Sequence, residues 1–475
     1  MSTSPTSEVV LPSVEDPAVA GSVGAIGGPV GRFARLGVSW WTPVRVLVAV
    51  ATSAYVLGYV LDLGCRREAW AVPQRYEHLC YTDISPLFSL RGFADGLVPY
   101  VQSMPNGQYL EYPVLTGVFM QISAWITQGW MAVMPDSNSS VVFFDVNVVL
   151  LFLPYIVAVL ALALTVRRRP WDAALLALAP TVILAATINW DLLPLAFIGI
   201  ALLLWARRYP FAAGLLLGLA IAAKFYPVVL LGGFLVLSLR SGKWKDFGWL
   251  VLGTAITWVA VNLPVMLANF DGWFFFYSFS KTRGEDFGSI WFALTQAGFG
   301  SVPAEQLNLI ATGLFLVLCI GIGLIVLMAP RRPRLASVLF LIVAAFTLTN
   351  KVYSPQYVLW LVPLAVMARP RWRDFLIWQV GELVYFVAVW WFLLAYGTDG
   401  QHGLSGTEYS LAILIRVVAT VYFAVIVIQD MLVTEQDPVR TDGFPEDEDD
   451  PGGGAYDGAP DVFTLRRSPH RTSTS

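Results

Sequence analysis

The chain has 475 residues, of which 57% are hydrophobic and only 13% charged, with a mean hydropathy of +0.65; a soluble domain would carry about 25% charge. This composition excludes an ordinary soluble enzyme and points to a polytopic membrane protein. The net charge of −3 says little about partners, because a dense block of the acid lies in one run, Glu446–Asp450, and no nucleic-acid partner is expected.

In chain order, residues 1–40 are rich in Ser, Pro, Gly and Val and lack a basic start leading directly into an apolar core. They read as a disordered cytoplasmic leader rather than a cleaved signal peptide. A membrane crossing needs roughly 17 to 25 apolar residues. Runs approaching that length lie at 44–63, 142–166, 173–187, 192–206, 211–223, 228–239, 247–267, 307–328, 336–349, 357–368, 375–396 and 409–428. Residues 41–430 are therefore expected to form an all-α polytopic domain of about twelve transmembrane helices. Residues 431–475 hold the acidic run and read as a solvated, disordered cytoplasmic tail.

A further apolar stretch, 114–134, bears on topology. The basic clusters at 167–169, 207–208, 240–245, 331–334 and 369–373 should all be cytoplasmic. With the N-terminus inside, the chain is outside after residue 63 and inside again at Arg167, so one of the two helices between them does not cross. The 114–134 stretch contains Gln121, Gln128, Trp125 and Trp130, which suits a helix along the outer interface. Residues 64–141 then form the first external loop, and both termini are cytoplasmic. Asp83, Glu111, Asn189, Asp191, Lys224, Lys281, Arg283 and Lys351 all fall on the outer side, opposite the basic anchors. One-sided acids and cations beside a bilayer suit chemistry on a lipid-borne substrate.

The order Thr82-Asp83-Ile84, Pro99-Tyr100, Glu111-Tyr112-Pro113, Asn189-Trp190-Asp191, Gly214 to Leu219, Ala223-Lys224-Phe225-Tyr226-Pro227 and Ser354-Pro355-Gln356-Tyr357 resembles the GT-C superfamily of integral-membrane glycosyltransferases. Within it the chain is most similar to glycosyltransferase family 87, the polyprenyl-phosphomannose-dependent mannosyltransferases of actinobacteria. The resemblance implies transfer of a sugar from a polyprenyl phosphate to a lipid or cell-envelope glycan acceptor, on the extracytoplasmic face of the plasma membrane. It also places the reaction at an Asp of the first external loop, here Asp83. The chemistry of the residues agrees: a fixed carboxylate can take the acceptor proton, and cations can stabilise the departing lipid phosphate. Asp83 and Glu111 are the catalytic candidates, and Lys224, Lys281, Arg283 and Lys351 the phosphate-binding ones. Asn189, Asp191, Tyr100, Tyr112, Gln356 and Tyr357 are expected to hold the acceptor or support the site. Plainer roles remain for each: Asp83 and Asp191 as helix caps, Glu111 as a complement to a helix dipole, Lys224 as a snorkelling side chain.

Where family members often carry His, this chain has Gln356-Tyr357, and His78, His402 and His470 do not take its place. Asp83 then acts alone or with Glu111, and mannose, arabinofuranose or another hexose stays open as the donor sugar. No cofactor is expected; a divalent cation bridging Asp83, Asp191 and the donor phosphate is the alternative that hard-cation chemistry leaves open. No Gly-rich phosphate loop follows a strand, which argues against a cytosolic nucleotide-sugar site. Cys65 and Cys80 flank the segment ahead of Asp83 and are expected to pair if they face an oxidising compartment; two free thiols are the alternative. Glu382 and Arg416, on successive apolar runs, read as a structural ion pair. The competing functions are a carrier or flippase for polyprenyl-linked sugars, which would favour two related halves, and a non-catalytic scaffold for envelope assembly.

Overall fold

The computed structural model describes residues 9–13, 15–25, 40–398, 402–442 and 449–466. His470 and Glu446 to Glu448 lie outside them. Among the described residues every regular element is a helix. The order begins α1 (Pro17–Ala25), α2 (Pro43–Arg67), α3 (Gln74–Glu77), α4 (Ile84–Leu90), α5 (Val114–Val133) and α6 (Ser139–Thr165). It continues with α7 (Ala173–Ala177), α8 (Pro180–Ala185), α9 (Leu192–Ala206), α10 (Pro210–Ala223), α11 (Leu230–Ser241), α12 (Trp244–Ala268) and α13 (Phe270–Thr282). The last six are α14 (Ile290–Leu294), α15 (Ala304–Met328), α16 (Leu335–Thr349), α17 (Val358–Ala368), α18 (Trp372–Gly397) and α19 (Gly406–Leu432).

Six of these, α2, α6, α12, α15, α18 and α19, are long and apolar enough to cross a membrane. The remaining apolar runs form shorter helices. The 173–187 run is broken into α7 and α8 because Pro180 removes an amide donor and pushes Ala179 out of helical geometry. Thr181, freed by the break, bonds Gln379 Oε1 through its hydroxyl at 2.6 Å.

The short helices share one arrangement. Helix α9 is flanked by Asp191 and Arg207, α10 by Tyr209 and Lys224, α16 by Arg334 and Asn350, and α17 by Tyr357 and Arg369. Each carries a site candidate or its chain neighbour at one end and a basic cluster at or beside the other, so the segregation of polar groups into two opposed faces is built into the helix lengths. Helix α10 is seated on α12 by close backbone approach. A Cβ on Gly214 would lie 2.1 Å from Leu250 O, and one on Gly253 would lie 2.4 Å from Phe211 O. The small residues of the Gly214 to Leu219 motif thus serve to fix the helix that ends in Lys224.

The basic face is covered in part by described residues of the leader and the tail. Several described tail residues are packed rather than solvated: Arg334, 3% exposed, is bonded by both oxygens of Asp437 at 2.7 and 3.0 Å, and Asp450 accepts from the Leu335 amide. Asp461 bonds Arg240 and Arg332, Asp449 bonds Arg331 and Arg440, and Tyr456 is buried against Trp205 and Phe234. The leader docks as well, with the Val10 amide on Arg168 O and Asp16 accepting from the Arg373 amide. Arginines at buried helix ends need counter-ions, and the acidic tail supplies them. Asp437→Ala should therefore strand Arg334 and cost about 3 kcal/mol, read as a lowered unfolding midpoint in detergent. Arg331→Ala, which removes a 51% exposed side chain and leaves Asp449 paired with Arg440, should have a much smaller effect. Equal stability of wild type and D437A would show that the tail is not docked.

Candidate active site

The segment between α2 and α5 is held down at three points. Cys65 in α2 is disulfide-bonded to Cys80, with Cα atoms 6.0 Å apart. Closing a loop of this length restricts the unfolded chain by about 3 kcal/mol. The Thr82 hydroxyl donates to Thr187 O at 2.7 Å, and the Asp83 amide donates to Ile188 O at 2.8 Å. This segment therefore lies directly on the turn that leads into α9.

Local chemistry then frees two aspartates from capping. Asp83 precedes α4, yet its side chain makes no cap hydrogen bond; Thr82 Oγ1 accepts from the Ile84 amide instead. Asp191 precedes α9 and makes no cap bond either, because Asn189 Oδ1 accepts the Asp191 amide. In both motifs a preceding polar residue satisfies the turn and leaves the carboxylate available. Asp191 is fully buried, and its Oδ1 lies 2.8 Å from Lys224 Nζ at the end of α10. Between Asn189 and Asp191, Trp190 donates to Asn147 Oδ1 on α6 at 2.7 Å, which locks the turn.

Asp83 receives the Tyr81 phenol on Oδ1 at 2.7 Å. Tyr81 is itself clamped, stacked on Trp390 at 4.6 Å with Arg75 over its ring at 5.5 Å. Burial raises the Asp83 pKa to about 6, opposed by the Tyr81 hydrogen bond and by the positive charges of Lys224 and Arg283, and reinforced by Asp191. Tyr112 packs edge-on to Trp190 at 5.3 Å with Lys224 Nζ 5.3 Å above its ring. Its phenol is held neutral by burial and by the nearby Asp83, Glu111 and Asp191.

Of the four expected phosphate-binding cations, Lys224 and Arg283 are brought to Asp83. Arg283 pairs with Asp286 at 2.6 Å and has a 41% exposed side chain. Lys351 is buried and donates to the carbonyls of Arg283 and Lys281, so it holds the loop rather than facing a ligand; burial and the Arg283 charge lower its pKa. Lys281 sits exposed at the end of α13, and its carbonyl accepts from Asn308. Glu111, expected beside Asp83 as a second acid or base, is bonded at both oxygens by Arg91, each at 2.6 Å. Tyr100 donates to the carbonyls of Tyr112 and Pro113, at 2.9 Å each, and supports the chain there. Gln356 is buried in the turn ahead of α17, and Tyr357 stacks on Trp360 at 3.6 Å within the electrostatic reach of Asp83, Asp191 and Arg283.

Sequence reasoning missed Tyr81, Arg91 and Asp286. Tyr81 was two residues from the leading candidate and Asp286 three from Arg283, so local spacing offered both, whereas the Arg91–Glu111 partnership across 20 residues carried no sequence signal. Among the described residues, no group of three or more His, Cys, Asp or Glu side chains is arranged to hold a metal ion.

The sequence profile of glycosyltransferase family 87 matches residues 109–350, just over half of the chain. GPI mannosyltransferase 1 of Eremothecium gossypii is 28% identical over 204 residues, covering 41% of this chain and 51% of the relative. The chain thus spans about half the length of the curated relative it matches.

The Tyr81 contact has a measurable consequence. Activity that needs the Asp83 carboxylate should rise with pH through about 6. The phenol stabilises the ionised form, so Tyr81→Phe should move that rise to higher pH. A pH–rate profile whose acid limb stays in place in Y81F would contradict the assigned hydrogen bond.

Proposed function

The chain belongs to glycosyltransferase family 87, and from that premise we propose that it is a membrane mannosyltransferase using Asp83 as general base. One observation carries the reading. Among the candidate carboxylates and their neighbours, Asp191 is paired with Lys224, Glu111 with Arg91 and Asp286 with Arg283, while Asp83 is bonded by a neutral phenol. Asp83 is thus the carboxylate best able to accept a proton, and its raised pKa suits a base working near neutral pH.

In the proposed reaction the acceptor hydroxyl oxygen attacks the anomeric carbon of the donor sugar as the bond from that carbon to the phosphate oxygen breaks. The hydroxyl proton passes to Asp83, and the electron pair leaves with the polyprenyl phosphate. Lys224 and Arg283 stabilise the negative charge that develops there, the role that a bridging divalent cation would otherwise fill. Asp191, fully buried, orients Lys224 without reaching the substrate. Mannose is the sugar in the name of the Eremothecium relative, and a lipid or envelope glycan is the proposed acceptor.

The membrane arrangement belongs to the same proposal. The shorter apolar helices join the six long ones to give about twelve crossings, with α5 along the outer interface, the site facing outward across the plasma membrane and both termini cytoplasmic. Helices α9, α10, α16 and α17 have 15, 14, 15 and 11 residues. At about 1.5 Å per residue they span roughly 16 to 22 Å, against a hydrocarbon core of about 30 Å. With their basic ends at the inner surface, their other ends sit below the outer headgroups, a depth that a lipid-borne phosphate can reach.

Asp83→Asn should fold normally and lose about 10²- to 10⁴-fold in transfer from a purified polyprenyl-phosphate mannose; full turnover would refute the base. For topology, a Cys placed at Asn138 should react with an impermeant thiol reagent outside intact spheroplasts, and one at Arg168 should not. The reverse pattern would mean that α5 crosses the membrane.

A further inference from the structure

Glu382 on α18 and Arg416 on α19 form an ion pair inside two helices apolar enough to cross a membrane, 2% and 0% exposed, with Arg416 Nε 2.8 Å from Glu382 Oε2. Ionised groups at such depth are costly and are retained where they perform a task. Here the guanidinium spends its other nitrogens on main chain: one donates to Tyr353 O at 2.6 Å and another to Ser354 O at 3.2 Å. Those carbonyls belong to the link between α16 and α17, where Ser354 O also takes the Tyr357 amide at 3.1 Å as the short turn ahead of α17 begins. The guanidinium is sandwiched between the rings of Tyr353, at 3.3 Å, and Tyr385, at 4.1 Å. The second glutamate oxygen accepts from Tyr353 at 3.2 Å and from Thr420 at 3.4 Å.

The link anchored in this way carries the next segment. Ser354 Oγ donates to Asp286 Oδ2 at 3.1 Å, Asp286 Oδ1 holds Arg283 at 2.6 Å, and the Asp286 amide donates to Lys351 O at 2.8 Å. The Tyr409 phenol donates to Phe287 O, and a Cβ on Gly288 would lie 2.1 Å from both Tyr353 O and the Tyr385 hydroxyl. An unbroken chain of direct contacts therefore runs from the buried pair to Arg283, and Tyr357 follows a few residues along the same anchored link.

We propose that the Glu382–Arg416 pair is a positioning device: it fixes the 351–357 and 283–289 segments and thereby sets Arg283 and Tyr357 against Asp83, a role that rests on the transferase reading above. A purely structural pair can be exchanged for hydrophobic residues without loss of fold, and this exchange separates the two roles. The Glu382→Met, Arg416→Met double variant should insert and remain monodisperse in detergent. Its hydrogen–deuterium exchange should nonetheless rise at 283–289 and 350–357, and its KM for polyprenyl-phosphate mannose should rise about tenfold to a hundredfold, with the acceptor KM little changed. Ser354→Ala, which removes one side-chain link and leaves the pair intact, should shift the donor KM in the same direction and add little in the double-variant background. Exchange at both segments matching wild type in the folded double variant would overturn the proposal, as would unchanged donor KM. The exchange measurement needs no turnover, so it judges the positioning role even where a wild-type chain inactive with this donor has refuted the transferase reading.

Discussion

Two hydrogen bonds hold the site together: Thr82 Oγ1 to Thr187 O, and the Asp83 amide to Ile188 O. They join segments more than a hundred residues apart in the chain, and they do so at main-chain carbonyls that the turn before α9 leaves unpaired. Without them Asp83 would have no fixed relation to Asp191, and hence none to Lys224. The disulfide at Cys80, the Trp190 bond to Asn147 and the seating of α10 on α12 all restrict motion about this one junction.

Around the junction, the site is a balance of charges kept apart by specific partners. Asp191, Glu111 and Asp286 are matched with cations, and Asp83 is left with a phenol. Burial raises the affinity of that carboxylate for a proton, while Lys224 and Arg283 keep it from rising further. In the proposed reaction the same two cations would face the negative charge that develops on the leaving phosphate, so that one electrostatic arrangement would serve both the base and the leaving group. The opposite face is balanced differently: there the arginines at the helix ends are neutralised by the tail, through Asp437, Asp449 and Asp461.

The apolar runs and the segregation of arginines from acids were legible in the sequence, because hydropathy and charge are local properties of a chain. The placing of Asp83, Lys224 and Arg283 near one another was legible as well, since polar residues at the ends of apolar helices are few. Three features were not. The partnership of Glu111 with Arg91 was hidden because the two lie 20 residues apart, where a carboxylate can choose among several cations and only packing selects one. Lys351 looked like its neighbours, but its ammonium turns inward to two carbonyls of the 281–283 segment. The tail looked solvated because a run of acids usually is; the signal against that reading in its described part was the set of arginines on the basic face, of which Arg240, Arg331, Arg332 and Arg334 take Asp437, Asp449 and Asp461 as counter-ions once the helices assemble.

The central claim is that a lipid phosphate lies between Lys224 and Arg283 with the acceptor hydroxyl at Asp83. An experimental structure with a non-transferable polyprenyl-phosphate mannose analogue tests it most directly. The account predicts phosphate oxygens in ion-pair contact with Lys224 Nζ and the Arg283 guanidinium, and the anomeric carbon turned toward the Asp83 carboxylate. A phosphate seated away from both cations, or a sugar with Asp83 out of reach of its anomeric face, would contradict it.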